Sequence, residues 1–348
     1  MANSFSKIDI KSYTLEQLEQ LLLDMGQPKY RAKQIFSWIH LKKISSFDEM
    51  SNIPKNILQL FSEKYFIPSL TIRKKLVSKH DGTIKYLYEL EDGNTIEAVY
   101  MKYHHGNSLC ISSQVGCKMG CKFCASTIGG RVRNLTASEM LLEIEVAEKD
   151  TNSKINNVVL MGMGEPLDNF DNVIRFLQLL SHPDGHKMSL RNVTLSTCGL
   201  VDQIDRLGEF GFGLTLAVSL HAPTDTIRNK TMPINNKYPI EVLIDACKRY
   251  ANKTGRRITY EYALIKGEND SVEDAKTLGK RLQGSLCHVN LIGINKVDGT
   301  GFEKADSGVM EAFLGTLKNY GVEATKRRTL GDDIDAACGQ LRRAELNK

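Results

Sequence analysis

A chain of 348 residues, 41% of them hydrophobic, has the ordinary composition of a globular protein and enough apolar material for one large core with a smaller appendage. No apolar run reaches the ~18 to 20 residues that span a bilayer, and the opening M-A-N-S-F-S-K-I-D lacks the apolar core of a signal peptide, so a cytoplasmic protein is expected. A net charge of +5, from 46 basic and 41 acidic residues, is too small to argue for nucleic acid, and eight cysteines in a reducing compartment suggest ligands, catalytic thiols or core residues over a disulfide framework.

Residues 14–25 space leucines at helical intervals behind Thr14, a suitable N-cap, and Gly26 offers a stop. A second helical pattern covers 29–41, with the single tryptophan at Trp38, and a third covers 54–66, ahead of Pro68. Residues 1–66 therefore read as a small helical module whose Tyr30, Arg31, Lys33 and Trp38 belong to a locally packed helix. Between 69 and 102 the pattern changes to alternation, in runs separated by D-G and D-G-N turns, which predicts an antiparallel meander and assigns 67–107 to an extension. The stretch S-L-C-I-S-S at 108–113 predicts a strand leading into a cysteine-rich loop.

From 137 onward, helices at 137–149, 170–181, 201–209, 239–252, 271–283 and 306–320 alternate with strands at 157–161, 193–196, 214–220, 257–264, 288–292 and 322–327. Repeated βα units predict an α/β fold with a parallel sheet over 108–348. Short basic clusters at Lys42-Lys43, Arg73-Lys74-Lys75, Arg131 with Arg133, Arg256-Arg257, Lys326-Arg327-Arg328 and Arg342-Arg343 are each a solvated face taken singly. Several converging on one place would make a phosphate-binding rim.

Between the meander and the βα series lies Q-V-G-C-K-M-G-C-K-F-C, which gathers Cys117, Cys121 and Cys124 in a C-x3-C-x2-C loop. A structural zinc site wants four closed ligands, and no second pair comes after the loop. Three cysteines cannot pair among themselves. A 4Fe-4S cluster on three thiolates leaves one iron open to a small molecule with nitrogen and oxygen donors, which makes the incomplete ligand set a functional feature.

This loop, with Phe123 before its third cysteine, resembles the radical S-adenosylmethionine (SAM) superfamily. M-G-M-G-E-P-L at 161–167, V-S-L-H-A-P at 218–223, M-P-I-N at 232–235 and G-D-D-I-D-A-A-C-G-Q-L at 331–341 narrow the resemblance to the RlmN/Cfr family of RNA adenine methyltransferases, over nearly the whole chain. The resemblance implies a partial (β/α)6 barrel in place of an open doubly wound sheet. It also implies one 4Fe-4S cluster on Cys117, Cys121 and Cys124 and two SAM molecules per turnover. SAM contacts are implied at Gly164 and Glu165, at Ser196, at Ser219, Leu220 and His221, and at Asn295, where G-I-N-K departs from the more usual N-P. Gly162 and Gly164 are expected to let backbone approach a ligand closely.

For catalysis the resemblance implies a methyl-carrying Cys338, a partner thiol at Cys110 and a proton acceptor at Glu97. Read without it, Glu97 is an outward strand glutamate, His221 a core histidine and Cys338 a buried structural thiol. Cys198, Cys247 and Cys287 match nothing in the family pattern and read as core residues. Adenine C2 is electron-poor and cannot attack a sulfonium methyl directly, whereas a cysteine thiolate is a good nucleophile. The implied route therefore loads a methyl on Cys338, converts it to a methylene radical that adds to C2, and resolves the thioether through Cys110 and a transient disulfide. The implied substrates are 23S rRNA and the adenosine 3′ of some tRNA anticodons, with flavodoxin or ferredoxin as electron donor and a monomeric enzyme. A Cfr-like enzyme acting at C8 and a structural-zinc RNA-binding protein are the rival readings.

Overall fold

The computed structural model describes residues 7–294, 301–328, 330–334 and 336. The chain begins with three short helices, α1 (Leu15–Asp24), α2 (Tyr30–His40) and α3 (Lys55–Lys64). Thr14 and Gln17 form a reciprocal cap that starts α1, and Leu18 and Leu22, one turn apart, are buried. A short parallel pairing of Ile8–Asp9 with Tyr65–Phe66 closes the module, a contact that no alternation in the sequence signals.

Next come β1 (Leu70–Val77), β2 (Ile84–Leu90), β3 (Thr95–Tyr103) and β4 (Gly106–Cys110), each antiparallel to its predecessor. After the cysteine loop the series runs α4 (Ala137–Thr151), β5 (Asn157–Leu160), α5 (Phe170–Ser181), β6 (Val193–Thr197), α6 (Val201–Gly208) and β7 (Thr215–Ser219). It continues with α7 (Asp225–Thr231), α8 (Ile240–Thr254), β8 (Ile258–Leu264), α9 (Val272–Leu282), β9 (Cys287–Gly293), α10 (Ser307–Asn319) and β10 (Ala324–Lys326). The short helix α7 is absent from the sequence expectation. The strand expected over 108–113 ends at Cys110, because Ser113 and Gln114 both turn their N–H groups to the Met163 carbonyl at 2.8 and 3.1 Å.

Among the described residues these strands form one ten-stranded sheet in which spatial order follows chain order from β1 to β10. β4 is the junction, antiparallel to β3 and parallel to β5. An order that never reverses, combined with right-handed crossovers, puts every crossover helix on one face and curls the sheet around the other. The result is a partial barrel with a parallel-rich central sheet; its edges β1 and β10 do not pair with each other.

The helical module shares one continuous apolar core with the barrel. Lys11 reaches Glu145 of α4 at 2.9 Å, with both side chains buried. Burial opposes ionisation of Glu145, but the Lys11 ammonium and His186 together outweigh it and hold the carboxyl at about 2. Ser138 donates to Asp9 at 2.6 Å, and Arg175 of α5 donates to Gln17 at 2.8 Å and to the Ser12 carbonyl at 3.2 Å.

Candidate active site

At the carboxyl ends of β5 to β9 the strand-end loops surround a cleft of about 260 Å³. Its walls include Cys117, Cys121 and Cys124, together with Gly164, Glu165, Ser196, Ser219 and His221. The structure thus brings together most of the residues expected to hold a cluster and its ligand. Leu220 does not line the cleft; it is buried and serves through its backbone, donating to the Glu261 carbonyl at 3.0 Å and accepting from Arg228 at 3.1 Å. Asn295 and Cys338 lie outside the described residues.

The cysteine loop is held by backbone bonds. Gly116 and Gly120 take φ of 75° and 73°, which side chains rarely adopt. The Cys117 N–H donates to the carbonyls of Ser126 at 3.0 Å and Gly130 at 3.1 Å. Thr127 donates to the Cys121 and Cys124 carbonyls at 3.1 and 2.9 Å. Lys122 donates its N–H to the carbonyl of Thr231, the last residue of α7, at 2.9 Å.

Burial pushes the Cys117 thiol up to about 12, and it pushes Cys121 up as well, with the neighbouring cysteines adding to the effect. Three thiolates so placed need cationic partners. Soft thiol donors gathered on one short loop fit an iron–sulfur cluster.

Glu165 is wholly enclosed. One carboxylate oxygen accepts from the Cys198 N–H at 2.7 Å and the other from Leu167 at 3.0 Å, while its own N–H donates to Gln114 at 2.9 Å. Burial raises its pKa against these hydrogen bonds. It makes no ion pair among the described residues, so a buried carboxylate capable of meeting an ammonium faces the cleft. Gly162 and Gly164 line the cleft and also meet a need within the protein. A side chain at either would fall within 2.8 Å of the 111–114 backbone, so their closest approach is to the protein's own strand end.

His221 takes a positive φ of 51°. Its Nδ1 accepts from the Ala263 N–H at 2.8 Å, which assigns the ring proton to Nε2. Burial, and after it the Arg228 guanidinium, push its pKa down to about 3, so the ring is a neutral donor at physiological pH. Phe123 packs edge-on against it, ring centroids 4.9 Å apart.

Glu261, Cys198 and Arg327 line the cleft and were missed from sequence. Glu261, in the middle of β8, is buried there and accepts from the Asn290 amide at 2.9 and 3.2 Å. Cys198, read as core, lines the cleft beside Glu165. A lone Glu in R-I-T-Y-E-Y-A-L carries no signal beyond its place in a parallel strand buried on both faces.

Glu97 and Cys110 lie outside this cleft, on the strands of the meander. Val99 pairs with both Cys110 and Lys85, and Glu97, two residues along β3, shares its face. Lys85 and Glu97 form a buried ion pair at 3.9 Å. Val99, Met101 and Cys110 make a small apolar cluster against which Met161, Leu330 and Ala336 pack. Met161 also borders the cleft, so the two places are contiguous. The carboxyl-terminal segment is fixed there by the Gly331 N–H to Asp81 at 2.9 Å and by Asp333, which accepts from the Lys79 N–H at 2.9 Å.

The basic clusters are partly spent on ion pairs: Arg131 with Asp168, Arg133 with Asp92 and Glu139, Lys43 with Glu148, Lys75 with Asp150 and Arg257 with Glu323. No helix among the described residues is long and apolar enough to cross a membrane.

Against known proteins, the profile of the radical SAM superfamily matches residues 111–278, and that of the ribosomal RNA large subunit methyltransferase N-terminal domain matches 8–67. A protein of Alkaliphilus oremlandii carrying the name "Probable dual-specificity RNA methyltransferase RlmN" is 53% identical over 98% of this chain and 99% of its own. One of the same name from Clostridium perfringens is 52% identical over 97% of each. The crystal structure of a radical SAM methyltransferase from Sphaerobacter thermophilus superposes with a TM-score of 0.89 at 40% identity, covering 96% of this chain and 98% of that one.

Proposed function

Because the chain belongs to the RlmN family of radical SAM RNA methyltransferases, we propose that it methylates C2 of an adenine in 23S rRNA, and of the adenosine 3′ of the anticodon in some tRNAs. The methyl group travels on Cys338. The observation that carries this reading is the patch on β3 and β4. Cys110 and Ala336, the latter two residues before Cys338 in sequence, belong to one apolar cluster that adjoins the cleft through Met161. A partner thiol belongs in such a place.

In this reading Cys117, Cys121 and Cys124 hold a 4Fe-4S cluster with one iron left for SAM. When bound, the two supply the methyl group and the one-electron chemistry that an electron-poor carbon requires. Glu165 accepts from the SAM ammonium, while Ser196, Ser219 and the Nε2–H of His221 donate to its carboxylate and ribose. Asn295 supplies a further contact. The Cys338 thiolate takes up a methyl group by displacement. For that carbon to join C2 it must first lose a hydrogen atom, and the adduct must give up one electron, both within the one-electron chemistry the cluster and SAM would supply; Glu97 takes the C2 proton. Cys110 then attacks the Cys338 sulfur; an S–S bond forms as the S–C bond breaks, the carbon gains a proton, and external reductant restores both thiols. A monomer in the cytoplasm, served by flavodoxin or ferredoxin, completes the proposal.

Digestion of RNA after turnover and fragmentation of the methylated nucleoside by mass spectrometry tests it. The expected product is 2-methyladenosine. Recovery of 8-methyladenosine would assign the chain a Cfr-like regiochemistry.

A further inference from the structure

Arg228, on α7, heads the fully buried side chains of the described residues by size, with 0% of its surface exposed. Its Nε donates to the Leu220 carbonyl at 3.1 Å, one Nη to the carbonyls of Cys198 at 2.7 Å and Ser219 at 3.1 Å, and the other Nη to the Asn235 side-chain oxygen at 3.1 Å. All of these acceptors are neutral. Among the described residues no carboxylate comes within ion-pair distance of Arg228, although hydrogen bonds hold the guanidinium on several sides. Burying a cation this way is costly unless a counter-charge lies close by.

Asp225 is the carboxylate nearest in sequence and reaches the guanidinium only through Asn235, whose amide it accepts from at 2.9 Å; on the cleft side, among the described residues, the counter-charge is missing. Cys198 and Ser219, whose carbonyls grip the guanidinium, are cleft residues alongside Cys121 and Cys124. The end of α7 is bonded to the peptide between those two cysteines through Lys122 and Thr231. Arg228 therefore sits one layer of backbone behind the cleft.

We propose that Arg228 is the fixed counter-charge of the cofactor site and raises the reduction potential of the iron–sulfur cluster bound there. The inference rests on the reading of Cys117, Cys121 and Cys124 as cluster ligands. A cluster on three thiolates becomes more negative by one charge when it accepts an electron, so a nearby cation that cannot move away favours the reduced form. The rigid fork of an arginine, bonded to neutral acceptors, keeps the charge in place without neutralising it.

The test uses the full chain and the variants R228Q and R228K, reconstituted anaerobically with iron and sulfide. Iron is counted, and the midpoint potential is read by spectropotentiometric titration without RNA. R228Q is expected to lower the midpoint so that, at the wild-type midpoint, the ratio of reduced to oxidised cluster falls about tenfold, about 59 mV for a one-electron couple. R228K, which keeps the charge and loses the fork, is expected to stay closer to wild type than R228Q. A fully loaded R228Q with an unmoved midpoint overturns the inference and leaves Arg228 as a structural peg. If R228Q loads no iron, R228K decides: a loaded cluster at the wild-type midpoint upholds the charge, and an empty or strongly shifted R228K overturns it. A wild-type chain that binds no iron would refute the three-cysteine reading, an outcome distinct from a loaded cluster whose potential ignores residue 228.

Discussion

In β5 to β9 the candidate functional groups stand mainly at the carboxyl ends of parallel strands, where loops converge, while Glu97 within β3 and Cys110 at the end of β4 share the antiparallel pairing of those two strands, on a face that a later segment covers. The first arrangement builds a binding cleft from backbone turns. The second builds a small patch from strand pairing, and the chemistry proposed for it depends on register, because a slip of one residue would turn Glu97 and Cys110 to the opposite face. In the mechanism proposed above, one sheet would separate holding a cofactor from handling a carbon–sulfur bond; Met161 touches both places.

Substitutions of cysteine in the two halves should fail in different ways, and this is the largest effect expected. Cys121→Ala should lose the cluster and both SAM-dependent steps, so iron analysis after anaerobic reconstitution should find little metal and RNA should return unmodified. Cys110→Ala should bind iron normally and accumulate a protein–RNA adduct, seen on denaturing gels as a slow band sensitive to nuclease and protease. Adding Cys338→Ala should remove that band. Normal turnover by Cys110→Ala would break the division of labour between the halves.

A second contrast concerns stability. Lys85 and Glu97 are both buried in the meander, so Lys85→Met, which removes the cation facing a buried carboxylate, should cost about 3 to 5 kcal/mol in urea unfolding. Arg249 and Asp205 form an exposed pair on the helical surface of the parallel half, and Arg249→Ala should cost no more than ~1 kcal/mol. Equal losses would show that the patch is no more demanding than the surface.

Third in size is Glu165→Gln. A hydrogen bond from a charged group is worth ~1.5 to 3 kcal/mol, so SAM affinity measured by calorimetry should fall about tenfold or more, with RNA binding in a filter assay unchanged. Alanine would be a poorer probe, because Glu165 also accepts from the Leu167 and Cys198 N–H groups and its loss would loosen the turn itself.

How much of this could be read from the sequence divides along the same line. Cys117, Cys121 and Cys124 are legible because three ligands on one short loop leave a spacing, whereas Glu165, Ser196, Ser219 and His221 needed the resemblance: a strand end is where βα folds bind, but His221 by itself reads as a core histidine. Glu97 came only from resemblance, since a glutamate in an alternating strand reads as solvent-facing. Lys85 misleads in the same way: in I-K-Y-L-Y-E-L it belongs on the polar face, yet both faces of β2 are buried. Arg228 sits in a short polar helix that looks like surface and is buried only because its guanidinium reaches strand-end carbonyls distant in sequence. Local pattern records periodicity and spacing; it does not record which face a later part of the chain will cover.

The smallest effect tests whether the halves can be perturbed separately. Thr136 caps α4, the crossover between β4 and β5, by accepting from the Glu139 N–H at 3.2 Å, and Glu139 returns the bond to the Thr136 N–H at 2.9 Å. Thr136→Ala removes only the first of these. Glu139 stays fixed by two bonds from Arg133, both 2.8 Å, so the helix start should keep its shape. The cost should be about 1 kcal/mol or less in urea unfolding. Iron content and SAM affinity should match wild type, because the cysteine loop is held by its own backbone bonds and by the end of α7, not by the cap. Loss of iron from Thr136→Ala would mean that the loop and the crossover helix fold as one unit, and the contrast between a self-supporting cleft and a register-dependent patch would have to be redrawn.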